Sequence, residues 1–197
     1  MLVLASASPR RSELLTQAGY RFRVHPAHIN EDPLPAEDSI TYVTRLAREK
    51  AEAVFRELAD VNPKPEENVV LGADTTVVLD NTILGKPTDA ADASRMLRML
   101  SGRSHRVITG VAVVTAEGTE VAAEVTAVRF LTLSDAEIAE YVAGGEPMDK
   151  AGAYGIQGRA ARWIPRIEGC YFNVMGLPLA LVSSLLELHT DLCGSAE

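Results

Sequence analysis

Leu2-Val3-Leu4-Ala5-Ser6-Ala7-Ser8-Pro9-Arg10-Arg11 opens the chain with an apolar run, a short polar loop and the start of a helix. Leu2 to Ala5 predicts a short buried strand. Ser8 suits a helix N-cap, Pro9 suits the first helical position, where its missing N–H costs nothing, and Gly19 stops the helix. Strand, loop and helix in that order form the building unit of an α/β fold. Ser6 to Arg11 also gather two hydroxyls, first-turn N–H groups and two guanidinium groups at a helix start, an arrangement that binds phosphate. From these residues alone, a plain capped helix with solvated arginines is an equal alternative. No GxxxxGK[ST] pattern occurs, which argues against an ordinary P-loop kinase or GTPase.

Working outward, Phe22 to His25 predicts a second short strand, and Asn30 to Pro35 an acidic, proline-containing loop. Ile40, Val43, Leu46, Ala47, Val54 and Leu58 recur at helical spacing, predicting a helix from Ser39 to Leu58. After a proline-containing break at Asn62 to Asn68, Val69 to Leu71 reads as a buried strand ending in Gly72-Ala73-Asp74-Thr75. Asp80-Asn81 suits a tight turn between Val77 to Leu79 and Ile83-Leu84. A helix is expected from Asp89 to Leu100, with Gly102 beyond it. Val107 to Val114 and Glu120 to Leu131 form a long hairpin through Glu117-Gly118. Ser134 and Glu137 make a capping box for a helix that Gly144-Gly145 ends. Glu146 to Gly158 reads as a functional loop or very short helix rather than core. Trp163 to Ile167 and Tyr171 to Val174 are expected to pair across Glu168-Gly169, and Pro178 opens a last helix to about His189. The fold class is therefore α/β, a mixed twisted sheet with flanking helices.

The 197 residues suit one domain, residues 1–197, with no internal repeat. Hydrophobic residues make up 47% and charged residues 23%, and 14 Gly and 10 Pro are spread rather than clustered, as in an ordinary globular fold. A net charge of -8 opposes binding to a nucleic acid polymer or an anionic membrane surface, so any polyanion site must be local. Met1 to Ala5 is too short for a signal peptide, and no apolar run approaches the ~20 residues that span a bilayer. Cys170 and Cys193 have neither metal-ligand spacing nor the density of a disulfide scaffold, which points to a reducing cytoplasm.

Several stretches could carry chemistry. Asp74, expected just past a buried strand, is a metal ligand, a general base or a turn aspartate bonding its own backbone. Lys86, between Gly85 and Pro87, contacts phosphate or simply caps a solvated turn. Arg103 and Ser104 offer donors at a helix exit, while His105 is a general base or a structural histidine. Asp149-Lys150-Ala151-Gly152-Ala153-Tyr154-Gly155-Ile156-Gln157-Gly158 either combines glycines that let backbone approach a ligand with Tyr154, which can stack, and Gln157, which can hydrogen-bond a base edge, or is simply a flexible loop.

Together these stretches resemble the Maf family of nucleotide pyrophosphatases over nearly the whole chain. The resemblance rests on Leu4 to Arg11, Arg48-Glu49-Lys50-Ala51, Gly72-Ala73-Asp74-Thr75, Gly85-Lys86-Pro87, Ser101-Gly102-Arg103-Ser104-His105, Asp149 to Gly158 and Gly176-Leu177-Pro178-Leu179. It implies a mixed α/β fold related to the inosine triphosphatases, and hydrolysis of a nucleoside triphosphate at the α–β phosphoanhydride with a divalent cation, magnesium or manganese. Ala153 to Gly158 looks like the branch acting on dTTP and UTP rather than on 7-methyl-GTP. By motif, Asp74 matches the proton acceptor; Arg10, Thr75 and Gln157 match positions that set substrate preference. Lys50 and Lys86 match phosphate-contacting lysines, and Glu31 matches an acidic residue placed with the metal, alongside Asp74. Ser6, Ser8, Arg11, Arg103, Lys150 and Tyr154 complete the expected substrate contacts. The acidic loop departs from the pattern: Asn30 stands where many relatives have a second glutamate, leaving Glu31 and Asp32 as alternatives for the metal.

Two other readings follow from the same residues. One is a nucleotide-sensing protein that acts on a cell-division partner; the other is a purine house-cleaning pyrophosphatase acting on ITP or XTP. Exposed apolar strands would suit a homodimer.

Overall fold

The computed structural model describes residues 1–61 and 68–189. Cys193 and nearly all of the expected proline break lie outside the described residues. The elements follow the order β1 (Leu2–Leu4), α1 (Pro9–Gln17), β2 (Phe22–Val24), α2 (Ser39–Val61), β3 (Val69–Leu79), β4 (Thr82–Leu84), α3 (Ala90–Leu100), β5 (Ser104–Val114), β6 (Thr119–Arg129), α4 (Asp135–Ala143), β7 (Arg166–Glu168), α5 (Tyr171–Met175) and α6 (Leu179–Glu187). Three short 3-10 turns lie between α4 and β7, at Glu146–Asp149, Ala151–Ala153 and Arg159–Trp163.

The strands form one seven-stranded sheet in the order β2-β1-β3-β5-β6-β7, with β4 paired to β3 off that path. β1 pairs in parallel with both β2 and β3, aligning Leu2 with Phe22 and Val69. Parallel neighbours need a crossover, and α1 and α2 supply the two crossovers in chain order. β4 returns antiparallel on β3, Val77 opposite Leu84, through a turn in which Asp80 takes φ 54°, as a tight two-residue hairpin requires. β5 and β6 are neighbours joined across a turn closed by Thr115 N–H donating to the Gly118 carbonyl. The mixed sheet with covering helices is the expected fold class.

The described chain divides into two compact units: Met1–Asp74 with Thr109–Glu124 and the segment from Gly176, and Thr75–Ile108 with Val125–Met175. In the first unit, Val3, Val70, Ala112 and Val114 of the sheet, with Ala5 just past β1, pack against Ala47, Ala51 and Val54 of α2. The contact is backbone-close because Gly72 carries no side chain: a Cβ there would lie 2.1 Å from the Ala47 carbonyl oxygen. Gly110 does the same on the neighbouring strand β5, where a Cβ would lie 2.3 Å from the Val43 carbonyl oxygen. In the second unit, α3, α4 and the 3-10 turns enclose Leu97, Leu100, Val107, Phe130, Tyr141, Tyr154 and Trp163.

Four expectations are corrected. The strand that opens at Val69 does not end at Gly72 but runs eleven residues to Leu79, because Gly72 serves helix contact rather than a turn, so Asp74 lies within the strand. The hairpin expected of Trp163 to Ile167 with Tyr171 to Val174 does not form. β7 pairs instead with β6, Val128 opposite Ile167, and Tyr171–Met175 closes into a helical turn. Buried Asn173 donates there to the Val107 carbonyl and to Thr126 Oγ, at 3.0 and 2.9 Å, bonds that a paired strand would not supply. The Glu146 to Gly158 stretch is short 3-10 turns as expected, yet Pro147, Ala153, Tyr154 and Ile156 are buried, so it is partly core. Ile40, placed by periodicity on the apolar stripe of α2, is 44% exposed. Among the described residues, no helix is long and apolar enough to cross a membrane.

Candidate active site

In the first unit, three expected residues meet. Lys50 lies on the buried stripe of α2, at helical spacing from Val43, Leu46, Ala47 and Val54. Its ammonium donates to Asp74 Oδ1 at 2.7 Å and forms an ion pair with Glu31 Oε1 at 2.9 Å. The lysine and Asp74 are buried, at 7% and 8% exposure, while Glu31 sits on the exposed loop before α2. One cation thus joins two carboxylates drawn from a strand and a loop.

Two residues missed by the sequence reading hold that loop. Tyr42 Oη donates to the Glu31 carbonyl at 3.0 Å, and Arg45 Nη2 donates to the Asp32 carbonyl at 3.1 Å. Arg45 is itself fixed by Glu37, through Nε at 2.6 Å and Nη2 at 2.8 Å. Their spacing, three residues apart on one helix face, was the available signal. Asn30 accepts the Asp32 N–H at 2.9 Å, a local turn that a glutamate would not make as readily. It is Glu31, not Asp32, whose carboxylate reaches Lys50.

The opening loop is organised around Ser6 and Arg11. Buried Ser6 Oγ accepts the Ser8 N–H at 3.2 Å and Arg11 Nη1 at 3.1 Å. Arg11 also donates to the carbonyls of Ala73, at 2.8 Å, and Gly176, at 2.9 Å. Arg11 therefore ties the loop to the residue before Asp74. Ser8 occupies the N-cap position of α1, but its side chain makes no capping bond. Arg10, the next helical residue, is half-buried at the start of α1.

Burial sets the electrostatics. It raises the Asp74 carboxyl above its ordinary value, an effect that the Lys50 and Arg11 charges oppose and Glu31 reinforces. Burial likewise lowers Arg11, with Asp74 pulling the other way. Tyr42 is pushed up to about 12, first by burial and then by the Asp74 and Glu31 charges, so its phenol keeps the proton that holds the Glu31 loop.

In the second unit, Thr75 follows Asp74 on β3 and is half-buried. Lys86 is exposed, and its neighbour Gly85 accepts the Gly152 N–H at 3.0 Å, bringing Lys86 beside the Ala151–Ala153 turn. Gln157 is exposed within a turn closed by Gly158 N–H donating to the Gly155 carbonyl at 3.1 Å. Lys150 donates to the Glu146 carbonyl and to Asp149 Oδ1, each at 2.7 Å, and so braces its own loop. Arg103 is engaged by both Asp80 carboxylate oxygens at 2.9 Å.

Tyr154 lies in the core rather than at a surface. It is 5% exposed, edge-on to Phe130 at 4.8 Å between centroids, and shares a 2.7 Å hydrogen bond with His105 Nε2. Burial lowers His105 to about 4. At 3% exposure and bonded to Tyr154 inside the core, His105 fits the structural role of the two open to it.

The donor set suits a hard divalent cation. Glu31 and Asp74 offer carboxylate oxygens already converging on one positive charge, and magnesium-type ions take one or two carboxylates plus substrate phosphates and water. Among the described residues, no group of three or more His, Cys, Asp and Glu gathers to hold a metal, so substrate oxygens would have to complete the coordination.

Residues 1–189 match the family model described as Maf-like protein. A protein of Koribacter versatilis named dTTP/UTP pyrophosphatase is 53% identical over 186 residues, covering 94% of this chain and 93% of that one. Proteins of the same name from Geobacter sp. strain M21, 54% identical over 95% of this chain and 94% of its own, and from Photobacterium profundum, 52% identical over 97% of both, are similar throughout.

Proposed function

We propose that this chain, which belongs to the Maf family, hydrolyses dTTP and UTP at the α–β phosphoanhydride, releasing the nucleoside monophosphate and pyrophosphate. The observation that carries the reading is the buried Asp74–Lys50 contact, in a chain half identical end to end to proteins named for that activity.

The reaction needs a water aligned with the α-phosphorus and neutralisation of the departing charge. Asp74 orients the water and takes its proton; the water oxygen bonds to the α-phosphorus as the bridging P–O bond breaks, and the electron pair leaves with pyrophosphate. Burial keeps Asp74 more basic than a surface carboxylate, which suits a proton acceptor. Lys50 holds Asp74 Oδ1 and supplies positive charge beside it. Arg10, Lys86 and the α1 N-terminus are assigned to the phosphates, with Ser6 and Arg11 shaping the loop that carries them. A divalent cation, magnesium or manganese, would be held by Glu31 and Asp74 and would supply Lewis-acid stabilisation of phosphate charge.

Base preference is assigned to Gln157, whose amide offers both a donor and an acceptor to the uracil or thymine edge. Thr75 and Arg10 are assigned to the same preference. Tyr154, being buried, serves by fixing the loop rather than by stacking on the base. Residues 1–197 act as one functional domain in a cytoplasmic setting, and the exposed Val121 and Val125 on β6 support a homodimer.

Product analysis tests the reading. Purified chain with dTTP or UTP and magnesium should release monophosphate and pyrophosphate; release of diphosphate and orthophosphate would overturn it.

A further inference from the structure

Glu146 is assigned neither to the phosphates nor to the metal, yet its side chain meets both ends of the turn that carries Gln157. The residue opens the first 3-10 turn after α4 and is half-buried. Its Oε1 accepts the Tyr141 hydroxyl at 3.0 Å, and Tyr141 Oη in turn accepts the Gly155 N–H at 3.4 Å. Its Oε2 accepts the Arg159 N–H at 3.2 Å. The carboxylate therefore reaches the residue before Ile156-Gln157 through one tyrosine, and the residue after Gly158 directly.

The packing is as close as the bonding. A Cβ on Gly158 would lie 1.7 Å from Glu146 Oε1, so the carboxylate fills the space where any side chain at 158 would begin. On the other flank the Lys150 stem covers Gly155, where a Cβ would lie 2.7 Å from Lys150 Cε, while its ammonium is held by the Glu146 carbonyl at 2.7 Å. Backbone and side chain of one glutamate thus anchor both the cover of the turn and its far end. Tyr141 is fully buried, and burial and the neighbouring Glu146 charge both push its phenol upward, so it remains a proton donor to the carboxylate.

An exposed amide at the tip of a turn discriminates between bases only if its backbone is held still, because a donor or acceptor displaced by an ångström loses its hydrogen bond. We infer that Glu146 is the positioning residue that fixes the Gln157 turn and thereby sets base selectivity. The inference rests on the proposed pyrimidine triphosphate activity and names the device behind its selectivity.

The test compares kcat and KM for dTTP, UTP and CTP in the wild-type chain, Glu146→Gln and Gly158→Ala, with Tyr141→Phe as a milder variant. Cytosine presents an amino donor where uracil and thymine present a carbonyl, so the dTTP to CTP ratio of kcat/KM reads the amide's placement. Glu146→Gln should lower that ratio about tenfold, mainly through KM for dTTP, since one lost neutral hydrogen bond is worth up to about that much. Gly158→Ala, which displaces the carboxylate without removing it, should do the same, and Tyr141→Phe should give a smaller loss of the same kind. Equal losses for all three nucleotides, or an unchanged ratio in folded Glu146→Gln, would overturn the inference. Should Glu146→Gln fail to fold, an unchanged ratio in Tyr141→Phe would overturn it. A wild-type chain that yields pyrophosphate from none of the three would instead overturn the functional reading, so the two failures are distinguishable.

Discussion

Lys50 Nζ lies 2.7 Å from Asp74 Oδ1, a buried ammonium on a helix facing a buried carboxylate on a strand. Lysine on an otherwise apolar helical stripe is costly to bury unless it is paired. The second carboxylate, Glu31, completes the pairing at 2.9 Å from the solvent side. The proposed reaction centre is thus also a structural contact, and removing either buried partner strands the other.

Asp74→Asn should retain the hydrogen bond geometry but remove the base. The expected result is a fall in kcat of roughly 10²–10⁴-fold with KM for dTTP little changed, the range for loss of a general base. Steady-state kinetics checks it; a kcat close to wild type would remove Asp74 from the role of proton acceptor.

Lys50→Met should expose the two carboxylates to each other without a counter-charge. The nucleotide-free variant is expected to bind manganese more tightly than the wild-type chain, because the ammonium no longer holds the position between Glu31 and Asp74. Titration calorimetry with manganese chloride measures this directly. Weaker binding in the variant would argue that the cation sits elsewhere.

His105 gives an acid-stability signature. Its folded value of about 4 lies below the ordinary 6.5, so the unfolded chain takes up a proton that the folded chain refuses between these limits. The contribution is fully present above pH 6.5 and is lost as pH falls to about 4, by of order 3 kcal/mol. Urea denaturation between pH 7 and 4 should show a shallower decline in His105→Gln than in the wild-type chain.

Gly72→Ala should destabilise the first unit. The added methyl would meet the Ala47 carbonyl oxygen at 2.1 Å and Ala51 Cβ at 3.0 Å, so helix and strand must separate. Overpacking of this kind costs roughly 1–3 kcal/mol or more, measurable as a lower denaturation midpoint. An unchanged midpoint would show that α2 does not pack on β3 through this glycine.

Much of this architecture was legible in the sequence, because its signals are local. The Ser134–Glu137 capping box and the Asp80-Asn81 hairpin depend on neighbouring residues, and both form. What escaped depends on contacts far along the chain. Gly72 resembles the start of a turn until α2 is laid against it, so the continuation of β3 through Asp74 was hidden. Tyr171-Phe172-Asn173-Val174 has strand-like composition, but β6 takes Arg166–Glu168 as its partner and the Asn173 amide is used on Val107 and Thr126. The motifs singled out Asp74, Lys50 and Glu31, and the structure brings both carboxylates within ion-pair distance of Lys50. Tyr42, Arg45 and Glu146 act by holding backbone, and no short pattern marks a residue whose partner is a carbonyl or amide in a separate loop.

The phosphorus that water attacks defines the reaction. Hydrolysis of dTTP in ¹⁸O-enriched water, followed by mass spectrometry of the separated products, reads this in one experiment. Attack at the α-phosphorus beside Asp74 places the label in dTMP and leaves pyrophosphate unlabelled. Label in pyrophosphate, with dTMP unlabelled, would contradict it.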